Sequence, residues 1–133
     1  MREIKFRAWD DENKIMYSPE GLEQPEIEED TKKTIYSYLS FGVLSIYDFG
    51  SDDPIEFVPM QSTGWFDKEQ KEIFEGDVIS VDGNMNQVIW SEEVAGFVLM
   101  ANDGMMGMGG DYLNDVSEII GNIYEDPNLI SYK

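Results

Sequence analysis

Carboxylates are the only abundant side chains in this chain that could carry acid–base chemistry. Its 133 residues include 28 Asp and Glu but no His and no Cys. The usual neutral-pH general base, the commonest transition-metal ligand, thiolate nucleophiles and disulfides are therefore all excluded. Paired carboxylates can hydrolyse glycosides or bind magnesium, but no spacing here singles out a pair. We therefore expect a non-enzymatic protein with no catalytic residue, no metal site and no cofactor.

The most organised local pattern is TGWFDKEQKEIFEGDVIS, residues 63–80. A turn-rich, charged stretch containing Gly64 and Asp67 leads to Glu75-Gly76-Asp77, which precedes an alternating strand. Gly76 supplies the backbone freedom that a sharp corner needs, and Asp77 can accept backbone N–H groups that a turn leaves open. We predict that this corner is structural and not reactive.

A second unusual segment is ANDGMMGMGGD, residues 101–111. Glycine backbones can bind phosphate, but this segment lacks the Lys, Arg or Ser/Thr of a phosphate loop, so that assignment fails. Its methionines Met105, Met106 and Met108 are adaptable apolar groups. They are candidate interface residues, although a mobile loop of partly buried methionines is the favoured interpretation.

These segments need strands to position them. Residues 3–9 alternate as a strand with one wet face, with Trp9 folded over its edge, and residues 14–17 predict the return strand of a hairpin. Further short strands are predicted near residues 55–60, 78–81, 88–90, 96–100 and 116–124, separated by turn signals such as Asp82-Gly83. The pattern indicates a mainly β fold, a small barrel or roll over residues 55–130.

Residues 18–54 differ in character and are predicted to form an inserted arm. Residues 18–34 are acidic and contain two prolines, which indicates a loop or exposed arm with a short helix beginning near Pro25. Residues 35–49 are aromatic and β-branched; a strand pair hinged at Gly42 is favoured over a helix followed by a strand. The aromatic residues of this arm are candidate interface residues: Tyr36, Tyr38, Phe41, Tyr47 and Phe49.

The charge is strongly acidic and unevenly distributed. The net charge is −19, and no Lys or Arg lies between Lys71 and Lys133. Such a chain repels phosphate backbones and anionic membranes, so we expect no direct nucleic-acid or membrane binding. The acidic surface serves either solubility or the docking of a basic host protein. No apolar run reaches the ~20 residues of a membrane span, and the charged N-terminus lacks a secretory signal, so a cytoplasmic location is expected.

Three blocks of the sequence carry a family resemblance: MREIKFRAWDDENKIM, QSTGWFDKEQKEIFEGDVI and SEIIGNIYEDPNLI. Together they resemble the YopX family of phage and prophage proteins. The chain departs from the family pattern at Trp65 and Gln70, and residues 18–54 are not matched. The motif residues to which we assign structural roles are Trp9, Gly64, Asp67, Glu75, Gly76, Asp77, Gly121, Asn122 and Tyr124.

The resemblance implies an SH3-like barrel or roll, extra segments that support self-association, and no established activity or catalytic residue. We predict a single domain over residues 1–133, acting as a non-catalytic phage or prophage accessory protein through protein–protein contacts, with a homo-oligomer as the expected state. Two alternatives stay open. One is an acidic mimic of nucleic acid that inhibits a host protein, and the other is a module that sequesters a small ligand.

Overall fold

The computed structural model describes residues 4–23 and 33–130, in which the chain forms two compact units, Met1–Gln61 and Ser62–Lys133. Both units consist mainly of antiparallel strands, so the predicted mainly β class is confirmed. None of the described helices is long and apolar enough to cross a membrane.

The first unit is built on two hairpins and one long strand. Its elements are β1 (Phe6–Asp10), β2 (Ile15–Tyr17), α1 (Pro19–Leu22), β3 (Ile35–Ser40), β4 (Val43–Asp48) and the start of β5 (Ile55–Phe66). The strand order is β2-β1-β5-β4-β3, which leaves β2 and β3 at the two edges. The core consists of Ala8, Ile35, Ile46 and Phe57, and the Tyr17 ring stacks on Phe57 at a centroid distance of 5.0 Å.

The N-terminal hairpin forms as predicted, with one difference. Ala8 pairs with Tyr17 in the β1–β2 ladder, as the alternating pattern requires. Trp9 was expected to fold over the strand edge, but it is buried, with 3% of its surface exposed. Both faces of this end of β1 are therefore covered, which an alternating pattern alone does not predict.

Residues 35–49 form a strand pair, as favoured from the sequence. β3 and β4 pair in unbroken register from Ile35↔Asp48 to Ser40↔Val43. The two connecting residues, Phe41 and Gly42, have φ angles of 51° and 80°, which are the values of a type I′ turn. The predicted helix near Pro25 lies outside the described residues. A short helix instead begins at Pro19, where the Ser18 hydroxyl caps it by accepting the Gly21 N–H.

The second unit is an open sheet. After the end of β5 it contains β6 (Glu72–Phe74), β7 (Asp77–Val81), β8 (Asn84–Ser91), β9 (Gly96–Ala101), β10 (Met106–Met108), α2 (Leu113–Val116) and β11 (Ser117–Asn122). The strand order is β10-β9-β8-β7-β11, and β6 pairs with β5. Within residues 4–23 and 33–130 these pairings do not close into a barrel, which corrects the barrel alternative of the predicted SH3-like core. Closure needs pairing between β10 and β11, and that is not a property of either strand's own sequence.

An apolar cluster stabilises the second unit. Its members are Ile73, Ile79, Val88, Phe97, Leu99 and Leu113, with Trp65 packed against them. β7, β8 and β9 each contribute through their inward-facing positions, as their alternation predicts. The predicted closing strand begins one residue later than expected, because residues 113–116 form the helical turn α2.

Candidate interaction site

Asp67 is a buried carboxylate that accepts three backbone hydrogen bonds. Its Oδ1 accepts the N–H groups of Glu69 and Lys71, both at 2.9 Å, and its Oδ2 accepts the Ile119 N–H at 3.0 Å. The link to Lys71 therefore runs through that residue's backbone and not through its ammonium group. One side chain thus holds the β5–β6 loop closed and ties it to β11, and its lone pairs are engaged by peptide groups.

The Glu75-Gly76-Asp77 corner is engaged in the same way. Gly76 has a φ of 90°, in the left-handed region that favours glycine. The Asp77 Oδ2 accepts the Phe74 N–H at 2.8 Å, and Asp77 is 1% exposed. The Gly76 backbone also donates to the Val88 carbonyl and accepts the Ile123 N–H. This corner therefore connects β6, β8 and the residue that follows β11.

The closing motif forms a turn around Asn122. The Asn122 Oδ1 accepts the N–H groups of Tyr124 and Glu125, and its Nδ2 donates to the Glu125 carboxylate at 2.8 Å. Gly121 lies at a break in register between β11 and β7. A side chain at Gly121 would place its Cβ 2.6 Å from the Leu129 Cδ1, so glycine allows the last residues to pack closely.

The turn between β1 and β2 uses its acidic residues locally. Asp10 is buried, and its carboxylate accepts the backbone N–H groups of Glu12 and Asn13. Asp11 accepts the Lys14 ammonium at 2.8 Å and the Trp9 indole N–H at 3.1 Å. These hydrogen bonds, together with the Lys14 charge, lower the pKa of the Asp11 carboxyl.

Four of the five aromatic candidates of the arm come together. Tyr36 and Tyr38 on β3 share one face of the hairpin with Tyr47 on β4, directly opposite Tyr36 in register, and Phe49 follows β4. The Phe49 ring lies 5.8–6.5 Å from the other three, and Tyr38 meets Tyr47 edge-on at 6.2 Å. This group, which we call the aromatic face, lies opposite the side that contributes Ile35 and Ile46 to the core.

Phe41 lies apart from the aromatic face, at the tip of the hairpin. Its side chain is fully exposed, and Leu39 and Val43 beside it are 75% and 63% exposed. Residues 34–47, which include all of β3 and all of β4 except Asp48, contain no charged residue. Sequence reasoning did not select Leu39 and Val43, although their position next to the turn in an uncharged run is a signal that could have found them.

The three candidate methionines are not a loop throughout, since Met106–Met108 forms β10. Met105, Met106 and Met108 are all at least half exposed. Met105 and Gly107 line an open groove of about 670 Å³ together with the β7–β8 turn and Tyr112. No Lys or Arg lines this groove. The methionines belong to the second unit and the aromatic face to the first.

Sequence reasoning also missed a contact between Trp65 and Gly109. The Trp65 indole lies so close to Gly109 that a Cβ on that residue would overlap the ring. Trp65 also meets Phe97 edge-on within the core cluster. Trp65 was noted from the sequence only as a departure from the family pattern. Its partner is 44 positions away and could not be deduced from local spacing.

Comparisons with a protein-family model and with solved structures show which proteins this chain is similar to. The model of the YopX protein family matches residues 5–131. The crystal structure of protein EF1440 from Enterococcus faecalis is 26% identical, covers 98% of this chain and 100% of its own, and has a TM-score of 0.63. The structure of protein yopX from Bacillus subtilis is 15% identical, covers 100% and 99%, and has a TM-score of 0.54, which is a likeness of fold. Among curated proteins, none matches.

Proposed function

Because this chain belongs to the YopX family, whose model covers nearly all of it, we propose that it is a non-catalytic accessory protein that acts through contacts with other proteins and associates with itself. In this proposal it is encoded by a phage or prophage and works in the cytoplasm of the bacterial host. The hairpin β3–β4 is its contact surface.

Phe41 is the observation that carries this proposal. A left-handed conformation costs a residue with a side chain about 1–2 kcal/mol, and Asn or Gly normally occupies this position of a type I′ turn. Phe41 adopts it with a φ of 51° and leaves its whole ring in water. Strained backbone and exposed apolar groups in one place mark interaction sites, because a contact with a partner offsets their cost.

The polar family motifs support the non-catalytic part of the proposal. Asp67, Asp77 and Asn122 are buried and accept backbone N–H groups. A general acid or base must reach a substrate proton in an accessible pocket, and these side chains are committed to the fold instead. Among the described residues, no group of three or more Asp and Glu side chains is placed to hold a metal ion.

Light scattering over a range of concentrations tests self-association. The expected result is an average mass that rises with concentration for the wild type and stays lower for Phe41→Asn. The matched control is Val94→Asn, which removes an exposed apolar residue from the turn between β8 and β9. A wild-type protein that stays monomeric at high micromolar concentration removes self-association from the proposal. Equal loss of association in both variants would instead remove the hairpin as its contact surface.

A second candidate function is favoured by the charge of the second unit. Between Lys71 and Lys133 there are 12 acidic residues and no basic one. Asp77 is engaged within the fold, whereas most others, such as Glu92, Glu93 and Asp103, are exposed. A surface of this kind attracts basic proteins, so the alternative proposal is a mimic of nucleic acid that inhibits a host DNA- or RNA-binding protein.

Salt dependence separates this alternative from contact through the hairpin. Electrostatic capture weakens steeply as salt rises, whereas apolar contact does not. A pull-down from host lysate at low and high salt should enrich a basic protein only at low salt, with retention by Phe41→Asn and loss when Glu92 and Glu93 are changed to Gln. If no basic protein is enriched at low salt, the inhibitor function is rejected.

A further inference from the structure

Five of the described strands have only one paired neighbour, and they are not equally protected against pairing with another chain. β2, β6 and β10 are edges of only three residues each, and β11 carries a break in register. Short edges, bulges, charges and proline are the devices that keep sheets from joining. β3 has six residues in unbroken register with β4, and it contains no charge and no proline.

The hydrogen-bonding pattern of the hairpin shows which β3 residues face outward. In a two-residue hairpin, Ser40 and Val43 exchange hydrogen bonds, and bonded pairs then alternate with non-bonded ones. The bond from the Phe49 N–H to the Thr34 carbonyl fits this alternation. The backbone N–H and C=O groups of Ser37 and Leu39 therefore point away from β4, and both residues are exposed.

Charge favours a second copy of this chain as the partner. Two copies with a net charge of −19 repel each other wherever acidic surfaces meet. Residues 34–47 form the longest run without Asp, Glu, Lys or Arg, and β3 lies inside it. A basic partner would bind the acidic surface and would gain no electrostatic attraction from the uncharged β3 edge. An identical copy, in contrast, avoids charge repulsion only at an uncharged edge.

We propose that two copies join through their β3 edges as antiparallel strands about a two-fold axis at Tyr38. This inference rests on the self-association proposed above and assigns its residues. Ser37 of each copy exchanges two hydrogen bonds with Leu39 of the other, and the two Tyr38 side chains face each other on the aromatic face. The contact is isologous, so it closes as a dimer of sheets.

The register follows from what the neighbouring positions allow. Residues whose backbone N–H and C=O groups point away from β4 must pair with such residues of the other copy. The two-fold axis can therefore lie only at a residue of β3, and not between two residues. An axis at Ser37 would require Ile35 to pair with the other copy, but Ile35 is 2% exposed and part of the core. An axis at Leu39 would require Phe41, whose left-handed backbone cannot extend the strand. The axis at Tyr38 uses only Ser37 and Leu39.

Cysteine cross-linking tests this register, because the natural chain has no Cys. Ser37→Cys and Leu39→Cys are made as separate proteins that carry different tags. In the proposed dimer, residue 37 lies opposite residue 39 of the other copy, with Cα atoms ~5.5 Å apart, within reach of a disulfide. Like positions lie about 8 Å apart, beyond that reach. Mild oxidation should link the mixed proteins, and neither variant alone.

The outcomes separate this inference from the proposed function. Near-ultraviolet circular dichroism first establishes that both variants are folded, which is expected because both positions are exposed. If the wild type associates but the mixture does not cross-link, the β3 contact is wrong while self-association stands. Cross-linking of Leu39→Cys alone would overturn the register. A wild type that is monomeric at every concentration overturns both, and leaves the edge to a strand of a different protein.

Discussion

The loop around Asp67 and the hairpin β3–β4 differ in where their distinctive side chains are directed. Asp67 lies in the second unit, is 1% exposed and holds three peptide N–H groups. The hairpin lies in the first unit and directs Tyr38, Leu39 and Phe41 into solvent. The conspicuous polar motif therefore stabilises the fold, whereas the less regular aromatic segment leaves apolar side chains exposed. Candidate functional residues are therefore better sought among exposed side chains that do not stabilise the fold.

The largest expected effect comes from removing Asp67. Asp67→Ala removes the acceptor of three part-buried N–H groups, and at about 1 kcal/mol for each lost hydrogen bond we expect a loss of about 3 kcal/mol in the free energy of unfolding. Urea denaturation measures it. Asp111→Ala is the control, because it removes an exposed carboxylate of the same unit, and it should change stability by less than about 0.5 kcal/mol. Equal effects would end the contrast between the two regions.

A smaller effect is expected from the contact between Trp65 and Gly109. Gly109→Ala forces the indole out of its position, and overpacking of this kind costs about 1–3 kcal/mol. Trp65→Leu makes room, so the double variant should be more stable than the sum of the two single changes predicts. A double-mutant cycle by urea denaturation measures this coupling. Additive changes would show that the ring and Gly109 do not compete for space.

Phe41→Asn should change stability in the opposite direction. Asn tolerates the left-handed backbone and is favoured in a type I′ turn, so the free energy of unfolding should rise by about 0.5–1 kcal/mol. Denaturation is measured at a concentration where the wild type is monomeric, so that loss of association does not obscure the gain. Gly42→Ala, which puts a side chain at a φ of 80°, is the contrasting variant and should destabilise the hairpin. A loss of stability in Phe41→Asn would mean that Phe41 serves the fold.

The sequence predicted those parts of both regions that depend on neighbours in the chain. Gly42 and the Asp82-Gly83 pair marked turns, aromatic and β-branched composition favoured the strand pair around Gly42, and alternation marked the strand before Asp82. It could not show that Asp67 binds the Ile119 N–H, 52 positions away, or that Trp9 is covered on both sides. Whether the second sheet closes also depends on distant strands. Period-two spacing places Tyr36 and Tyr38 on one face of β3, but only coordinates show that, among the described residues, β3 has no paired strand on its outer side.

The smallest effect concerns Tyr17, which divides the aromatic residues of the first unit into internal and outward ones. Its ring stacks on Phe57, and burial, followed by the charges of Asp10 and Asp48, raises the pKa of its hydroxyl above the ordinary value of 10.0. Above pH 10 the unfolded chain therefore loses this proton before the folded chain does. The stability that Tyr17 contributes is complete below pH 10 and declines as pH rises toward its folded-state pKa. Urea denaturation from pH 8 to 11 should show a steeper decline in the free energy of unfolding for the wild type than for Tyr17→Phe. Tyr17→Phe keeps the ring stacking, and the decline of each protein is measured from its own value at pH 8. If the free energies of unfolding of the two proteins decline in parallel, Tyr17 belongs with the outward aromatic residues. The boundary between the core and the proposed contact surface of this unit would then have to be drawn elsewhere.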